Sequence, residues 1–301
     1  MYDLDVDARR LAERLPVTDP GVPSSALVTV LRRGMLPIVR LAHRPTLEGL
    51  ASLPESGPYL LVANHSGGLG LAEIHCFASI WADTFRGDRP LAGFAHPFGF
   101  HVWPLSRLLP GVGAIPSSYA AAEATLARGV PILVFPGGDH EVIRPIWQAN
   151  RVDFGGRVGF LRIAHRAWIP VVPMGIRGSH FTVPVFARSK LLAFLAVWPR
   201  VVGIKRWPVT LLGLVGAIAI GLLVPAAWPW RVLLAWAWCA SPFMLMPFVP
   251  WTIRIRIGEP IAPEVLFPDR GHVDDATLAR ALAVVEGAVG ECVTGRRAPP
   301  V

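Results

Sequence analysis

The sequence predicts an α/β domain in which a mostly parallel sheet is flanked by helices, with a hydrophobic helical hairpin inserted into it. Two observations predict this fold. Short uninterrupted apolar segments, typical of strands buried on both faces, alternate along the chain with longer stretches of helical periodicity. Later in the chain, the stretch between Arg206 and Arg254 contains a single charged residue, Arg231.

The composition differs from that of an ordinary soluble domain. Of the 301 residues, 52% are hydrophobic and 17% are charged, whereas soluble domains carry about 25% charged residues. These values exclude a disordered chain, because disordered segments are polar and rich in charge. The 29 glycines and 30 prolines follow no repeat, which also excludes collagen-like and coiled-coil proteins. We therefore expect a globular domain that contacts or enters a membrane.

The net charge and the cysteines indicate the partners and the compartment. A net charge of +8 predicts an anionic partner. No stretch interleaves basic and aromatic residues as nucleic-acid-binding proteins do, so we expect membrane lipids or a phosphate-bearing ligand and no nucleic acid. Three widely separated cysteines form no Cys-x-x-Cys motif, and residues 1–16 lack the apolar segment of a secretory signal. Both observations favour a reducing, cytoplasmic setting without disulfides or a zinc site.

Residues 1–45 are interpreted as a polar lead-in followed by a basic amphipathic segment. From Ser25 to Arg44, apolar pairs alternate with arginines, a pattern suited to lying in the headgroup plane of a membrane. Gly34 and Pro37 weaken the prediction of a continuous helix here. An ordinary surface helix of the domain remains the alternative.

The predicted core spans residues 46–207. Its three apolar strands are expected at 58–63, 131–135 and 169–174, and its helices at 71–85, 118–128 and 159–167. In a parallel sheet, the working residues lie just beyond the carboxyl ends of the strands. The residues expected at that edge are Asn64, His65, Gly137, Gly138 and Asp139.

Residues 208–251 predict the hydrophobic hairpin. Two uncharged segments on either side of Arg231 each have roughly the 20 residues that a helix needs to span a bilayer. Seven of the eleven tryptophans fall in or beside this region, as in an interfacial belt, and basic residues flank both ends. The positive-inside rule then places both flanks on the cytoplasmic face. Several prolines interrupt the region, so a re-entrant or interfacial hairpin is an alternative to two full spans, and a hydrophobic core of a larger domain is a third interpretation.

Residues 252–301 return to the pattern of a globular domain. Polar and apolar residues alternate over 252–257, which predicts a half-exposed closing strand. Residues 274–293 have helical periodicity and begin with two aspartates, which suit the positive end of a helix. The tail from Arg296 onwards is expected to be loose.

Two motifs could carry chemistry. The first is Asn64-His65-Ser66-Gly67-Gly68 after a buried strand, where a histidine can act as a general base if another group orients its ring. Glu73, in the first turns of the following helix, is a candidate for that group. The second motif, Phe135-Pro-Gly-Gly-Asp-His-Glu141, is a strand that runs into a glycine turn with three polar side chains. Taken alone, a histidine at the end of a strand more often has a structural role, and the second motif is equally compatible with a plain strand-to-helix connection.

Taken together and in this order, these motifs resemble the phospholipid/glycerol acyltransferase superfamily, the PlsC-like lysophospholipid acyltransferases. The resemblance is nearest to the monoacylglycerol/diacylglycerol acyltransferase-like branch. It extends to three further blocks, and altogether it covers residues 46–190 and 250–290; these blocks are Gly113–Ser118, Ile169–Ile176 and Ile257–Ile261. The resemblance implies a glycerol-phosphate-acyltransferase-like fold. It also implies transfer of a fatty acyl group from acyl-CoA or acyl carrier protein to a glycerolipid hydroxyl, with no cofactor and no metal.

The resemblance also implies roles for individual residues. His65 would be the general base and Glu73 the acid that holds it. Arg157, with Arg151 and Arg177, could hold the phosphates of CoA, although a basic rim facing solvent or lipid is the favoured interpretation of these arginines. The expected substrate-binding residues are Asn64, Ser66, Gly67, Gly68, Gly137, Gly138, Asp139, His140, Glu141, Arg144 and Arg157.

Several residues depart from the pattern of this superfamily. The usual spacing would place an aspartate at position 70, which is a glycine here, so the acid falls at Glu73. Gly137 and His140 occupy third-block positions where the superfamily normally has an arginine or a glutamate, and Ser117 and Ser118 replace a common arginine. A neutral acceptor, such as a mono- or diacylglycerol or a glycolipid, therefore becomes more credible. An inactive lipid- or partner-binding protein, or a hydrolase of thioesters or esters, are the alternatives.

Overall fold

The computed structural model describes residues 20–68, 71–197, 199 and 204–295. The strands of this part of the chain are β1 Thr46–Glu48, β2 Leu60–Ala63, β3 Ala92–Ala95, β4 Ala114–Pro116, β5 Ile132–Val134, β6 Val171–Arg177, β7 Val185–Ser189, β8 Trp207–Thr210 and β9 Arg254–Ile257. Its α-helices are α1 Ser25–Thr29, α2 Leu36–His43, α3 Ala72–Phe85, α4 Leu105–Gly111, α5 Tyr119–Leu126, α6 Gly138–Val142, α7 Gly159–Ala167, α8 Lys190–Leu195, α9 Leu211–Leu223, α10 Trp228–Ala240, α11 Pro263–Leu266 and α12 Asp275–Thr294. The expectations for the first 19 residues and for the tail after Gly295 lie outside the described residues.

Seven strands form one sheet in the order β1-β9-β6-β2-β5-β3-β4. The five strands β6, β2, β5, β3 and β4 are mutually parallel, whereas β9 runs antiparallel to β6 and β1 runs parallel to β9. This confirms the predicted mostly parallel sheet flanked by helices. The apolar segments predicted as strands form β2, β5 and β6, and the alternating segment forms β9. The sequence of β3, Ala-Gly-Phe-Ala, has little β propensity, and neither β3 nor β4 was predicted.

Helices cover both faces of the sheet, and successive residues of β2 show how. Leu60 and Val62 belong to the apolar cluster that packs against α5, α7 and α12. Leu61 and Ala63 point to the opposite face and belong to the cluster with α2 and α3. Because β2 lies at the centre of the sheet and is buried on both faces, the position of its carboxyl end is fixed by packing on all sides.

The basic amphipathic segment is helical from Ser25 to His43, with a π-helical turn over Val30–Met35. The amide of Leu36 donates to the carbonyl of Leu31 across this turn. Pro37, which has no amide hydrogen to donate, lies where this π-helical turn passes into α2. The helix therefore continues past Gly34 and Pro37 by changing its type over this turn.

The chain leaves the sheet at Arg177 and returns at Arg254, and these two residues are register partners on adjacent strands. The excursion between them carries the two-stranded ribbon β7–β8 and the helices α8, α9 and α10. The indole nitrogen of Trp238 on α10 donates to the carbonyl of Leu212 on α9 over 3.2 Å. Arg231, near the start of α10, donates to the carbonyl of Gly221 over 3.1 Å.

Helices α9 and α10 have 13 residues each, which is about 20 Å of helix and shorter than the spans that we considered. Prolines are the physical reason. Val224 precedes Pro225 and Ser241 precedes Pro242, and a residue before proline disfavours the helical conformation. Within the described part of the chain, we find no helix that combines the length and the apolar character needed to cross a membrane.

The excursion nevertheless leaves an unusual amount of apolar surface uncovered. Large hydrophobic side chains are exposed on three helices and on the segment that returns to β9; they are Leu191, Phe194 and Leu195 on α8, Val215, Ile218, Leu222 and Leu223 on α9, Trp228, Trp230, Val232 and Leu233 on α10, and Phe243, Met246, Phe248 and Trp251 beyond it. We call this set the apolar face. Its base packs on the domain through a small cluster that includes Val142, Val183 and Leu245.

Candidate functional site

Three strand ends converge at one edge of the sheet. The chain leaves β2 at Asn64, leaves β5 at Phe135, and leaves β6 just before Ser179. Because these three strands are adjacent and parallel, their carboxyl ends bring the two sequence motifs and a third segment together. The ring of His65 lies on the ring of Phe135, with 4.7 Å between the ring centres.

His65 and Glu73 form a direct hydrogen bond. The Nδ1 atom of His65 lies 2.7 Å from Oε1 of Glu73, whose side chain is fully buried. Glu73 lies in the first turn of α3, where the positive end of the helix dipole stabilises a carboxylate. A carboxylate accepts, so Nδ1 carries the hydrogen and a neutral ring presents Nε2 as its basic atom. The His65 side chain is 12% exposed, and its Nε2 carries no hydrogen bond to the residues that the structure describes.

The glycines after His65 allow this pair to form. Gly67 and Gly68 have φ angles of +89° and +69°, a left-handed conformation that side chains rarely adopt. A β-carbon at Gly67 would lie 2.6 Å from Oε2 of Glu73. The loop therefore folds back tightly on the acid, and the close approach requires glycine. A β-carbon at Gly68 would lie 2.8 Å from the carbonyl of Leu245, so the returning end of the excursion packs directly on this loop.

Asn64 and Ser66 bind other parts of the protein. The side chain of Asn64 donates to the carbonyl of Ile176 over 2.8 Å and accepts from its amide over 2.7 Å. The hydroxyl of Ser66 is hydrogen-bonded to that of Ser179, and its amide donates to Oε1 of Glu73 over 3.2 Å. Both side chains are almost completely buried, so the contacts that they make here join β2 to β6.

Glu141 and Arg144 form a buried pair next to the main chain of His65. The Oε2 atom of Glu141 accepts a hydrogen bond from the amide of His65 over 2.9 Å, and Oε1 accepts one from the amide of Asp153 over 3.2 Å. Arg144 lies 3.5 Å from Glu141 and donates to the carbonyls of Arg151 and Asp153; both side chains are only 1% exposed. Burial raises the pKa of Glu141 to about 7, against the opposing effects of the two amides and of Arg144.

Asp139, His140 and Arg157 are partly exposed around this centre. Arg157 forms an ion pair with Asp139 over 2.6 Å and donates to the carbonyls of Pro136 and Gly137. His140 lies 3.2 Å from Asp153. The two glycines of this turn, Gly137 and Gly138, carry the chain into α6. The guanidinium of Arg157 therefore binds residues of the second motif, Phe135–Glu141.

Ser179 and His180 were not among the candidates, yet both lie at the same edge. His180 is buried, and its Nε2 has no hydrogen-bond partner among the described residues. Burial, followed by the charges of Arg144 and His65, lowers the pKa of His180 to about 4. The ring is therefore neutral at physiological pH. The rule used for the first two strands would have found these residues, because they follow the third predicted strand.

Two cavities lie away from His65. One, of about 340 Å³, is lined by α5 and α7 and by residues that precede β2 and β6, at the opposite edge of the sheet. The other, of about 220 Å³, lies beside β9 and the end of α12 and is lined by Arg177, Arg254 and Arg256. Neither cavity includes a residue of the His65–Glu73 pair.

Comparisons with known proteins give a consistent but distant result. No family model matches the chain. An uncharacterised protein of Mycobacterium tuberculosis is 28% identical over 223 residues, which is 72% of this chain and 60% of that protein. A bovine protein, the "DGAT1/2-independent enzyme synthesizing storage lipids" of Bos taurus, is 29% identical over 132 residues, 44% of this chain and 38% of that one.

Among solved structures, a 1-acyl-sn-glycerophosphate acyltransferase from Thermotoga maritima has a TM-score of 0.46 and 16% identity, over 88% of this chain and 79% of that one. The chain spans about 60% of the length of the mycobacterial protein that it matches. It is similar to proteins of which one, the bovine enzyme, synthesises storage lipids.

Proposed function

We propose that this protein is a membrane-bound acyltransferase that moves a fatty acyl group from acyl-CoA or acyl carrier protein to a hydroxyl of a glycerolipid. The observation that carries the proposal is the 2.7 Å hydrogen bond between Nδ1 of His65 and Oε1 of Glu73 at the carboxyl edge of a mostly parallel sheet. Because Nδ1 makes this bond, Nε2 is the basic atom of the ring. The name of the bovine relative supports the class of reaction.

In the proposed reaction, Nε2 of His65 takes the proton of the acceptor hydroxyl while the oxygen attacks the carbonyl carbon of the thioester. Buried Glu73 stabilises the imidazolium that forms. The carbon–sulfur bond then breaks, and the departing thiolate takes the proton back from Nε2. The products are an ester and a free thiol. General-base catalysis of this kind contributes about 10²–10⁴-fold.

The amides of His65 and Ser66 are not free to stabilise the oxyanion of this reaction. The amide of His65 donates to Glu141 and that of Ser66 donates to Glu73. The donors must come from other groups that face the substrate. We propose the partly exposed side chains of Asp139, His140 and Arg157, together with the glycines at 67, 68, 137 and 138, as the substrate contacts, and we assign Asn64, Ser66, Glu141 and Arg144 to supporting them.

We further propose that the apolar face binds the cytoplasmic surface of a membrane. The face is continuous with the site, since Leu245 at its base packs on Gly68. Arg231 is the one charged residue between Arg206 and Arg254, so the face presents little charge to lipid, while the molecule as a whole is basic. Long-chain donors and acceptors partition into membranes, and this position brings them to the histidine.

An acyl-transfer assay tests the proposal. Purified protein in detergent is incubated with palmitoyl-CoA and with lysophosphatidate, monoacylglycerol, diacylglycerol or water, beside the variants His65→Ala and His272→Ala. His272 is an exposed histidine outside the site and serves as the matched control. We expect acylated lipid from the wild type and from His272→Ala and none from His65→Ala.

Other outcomes of the assay would contradict the proposal. Free fatty acid without acylated lipid would identify a hydrolase. Binding of donor or lipid without any turnover would identify a binding protein. The preferred acceptor shows whether a phosphate is required; a requirement for one would contradict the expectation drawn from Ser117 and Ser118.

A further inference from the structure

Glu141 connects the histidine motif to the loop that precedes α7. Its carboxylate receives the amide of His65 on one oxygen and the amide of Asp153 on the other, at 2.9 and 3.2 Å. Hydrogen bonds from an amide to a carboxylate are about twice as strong as those between neutral groups. A buried carboxylate with 1% exposure cannot exchange these amides for water, so it fixes both segments.

Gly137 provides the space that this carboxylate occupies. A β-carbon at Gly137 would overlap the Cγ, Cδ and Oε2 atoms of Glu141. The place that a side chain at 137 would take is therefore filled by the side chain of 141. The glycine in the turn and the glutamate on α6 form one interlocked unit, and the unit points at the main chain of His65.

Two carboxylates consequently hold one histidine from different sides. Glu73 binds the ring at Nδ1, and Glu141 binds the main-chain amide. A ring that is oriented by Glu73 can still be displaced as a whole if the main chain at residue 65 moves. Such a displacement matters, because an error of about 1 Å in the position of a reacting group can reduce a rate about 100-fold.

We propose that Glu141 is a positioning residue, which sets the place of the base His65 by holding its main-chain amide, and does not bind substrate. The inference rests on the proposed function. The charged groups that face Glu141 are Arg144 beside it and Asp153 on the next loop. Arg144 balances the charge of the carboxylate and is itself bonded to main-chain carbonyls on that loop.

The variant Glu141→Gln tests the proposal, because glutamine offers one acceptor oxygen for two amide donors. The matched control is Glu286→Gln. Glu286 also accepts a main-chain amide, that of Phe154 over 2.6 Å, so it anchors the same loop without touching His65. We expect kcat to fall about 10–100-fold in Glu141→Gln, with KM for donor and acceptor changed less than about threefold, and little change in Glu286→Gln.

Hydrogen exchange provides a readout that does not depend on turnover. Deuterium uptake of a peptide covering residues 62–68 is expected to rise in Glu141→Gln and to stay at the wild-type level in Glu286→Gln, while uptake in α12 stays unchanged in Glu141→Gln and shows that the fold is intact. A second variant, Gly137→Ala, displaces the carboxylate sterically and is expected to raise uptake in the same peptide.

Two results would overturn the proposal. Unchanged uptake in residues 62–68 of Glu141→Gln would show that the bond does not hold the loop. A rise in the KM for acceptor at constant kcat would show that Glu141 binds substrate. If the wild type transfers no acyl group, the proposed function fails, and the exchange experiment still decides whether Glu141 positions His65.

Discussion

Replacing Glu73 by glutamine should separate activity from stability. The side chain is fully buried, its Oε1 accepts from both Nδ1 of His65 and the amide of Ser66, and its Oε2 has no partner among the described residues. Glutamine keeps an oxygen for these donors but removes the negative charge. The imidazolium that forms during proton transfer then loses its stabilisation, and we expect kcat to fall by about 10²–10⁴-fold.

The free energy of unfolding should change little in Glu73→Gln, because two effects of similar size oppose each other. A buried carboxylate with one unpartnered oxygen carries a desolvation cost, which an amide reduces. The new amide hydrogens near Oε2 cost about 1–3 kcal/mol if they remain unpaired, which is of the same order. We therefore expect the free energy of unfolding of Glu73→Gln to lie within about 2 kcal/mol of the wild type.

The measurement combines steady-state kinetics of acyl transfer with urea denaturation of the same preparations. Glu123→Gln, at an exposed position paired with Arg166, is the control and should leave both quantities unchanged. Glu73→Asp keeps the charge but shortens the side chain by about 1.5 Å, so it should recover only part of the rate. Activity above about a tenth of wild type in Glu73→Gln, or a loss of activity that follows unfolding, would refute the reasoning.

Three further predictions address the surroundings of this pair. Asn64→Ala leaves both the amide and the carbonyl of Ile176 unpaired at a buried position, so urea denaturation should show a loss of about 2–4 kcal/mol. Because the pKa of Glu141 is raised from 4.5 to about 7, the wild type should lose stability relative to Glu141→Gln as pH rises from about 4.5 through 7. Denaturation at pH 5 and pH 8 should reveal a difference on the order of 3 kcal/mol; a constant difference would contradict the raised pKa. Leu222→Lys, on the apolar face, should weaken sedimentation with phospholipid vesicles about tenfold or more, whereas Val265→Lys, exposed on α11, should not; equal effects would exclude a role for this face.

The hydrophobic pattern of the sequence predicted the strands of the sheet that are buried on both faces. The apolar runs that form β2, β5 and β6 are buried on both faces, so their hydrophobicity identified them directly. β3 was missed because alanine and glycine form this strand only through pairing with β4 and β5. The two uncharged segments around Arg231 extend across Pro225 and Pro242, whereas α9 and α10 end before these prolines and have 13 residues each.

The site was predicted in part for a similar reason. The topology rule found Asn64, His65 and the turn at Gly137, because the carboxyl ends of parallel strands must meet. Which amide each carboxylate receives depends on the left-handed turn at Gly67 and on the space at Gly137, and neither is visible in residue spacing. The role of Glu141 as an acceptor for the amide of His65 could therefore emerge only from the three-dimensional structure.

The register between Arg177 and Arg254 has an evolutionary consequence. The excursion begins and ends at neighbouring points on two paired strands, so the sheet keeps its strand order whatever the length of the chain between them. Selection can lengthen, shorten or exchange most of that segment as a module. The portions that contact the histidine loop, Ser179 near its start and Leu245 near its end, are the parts that such an exchange must preserve.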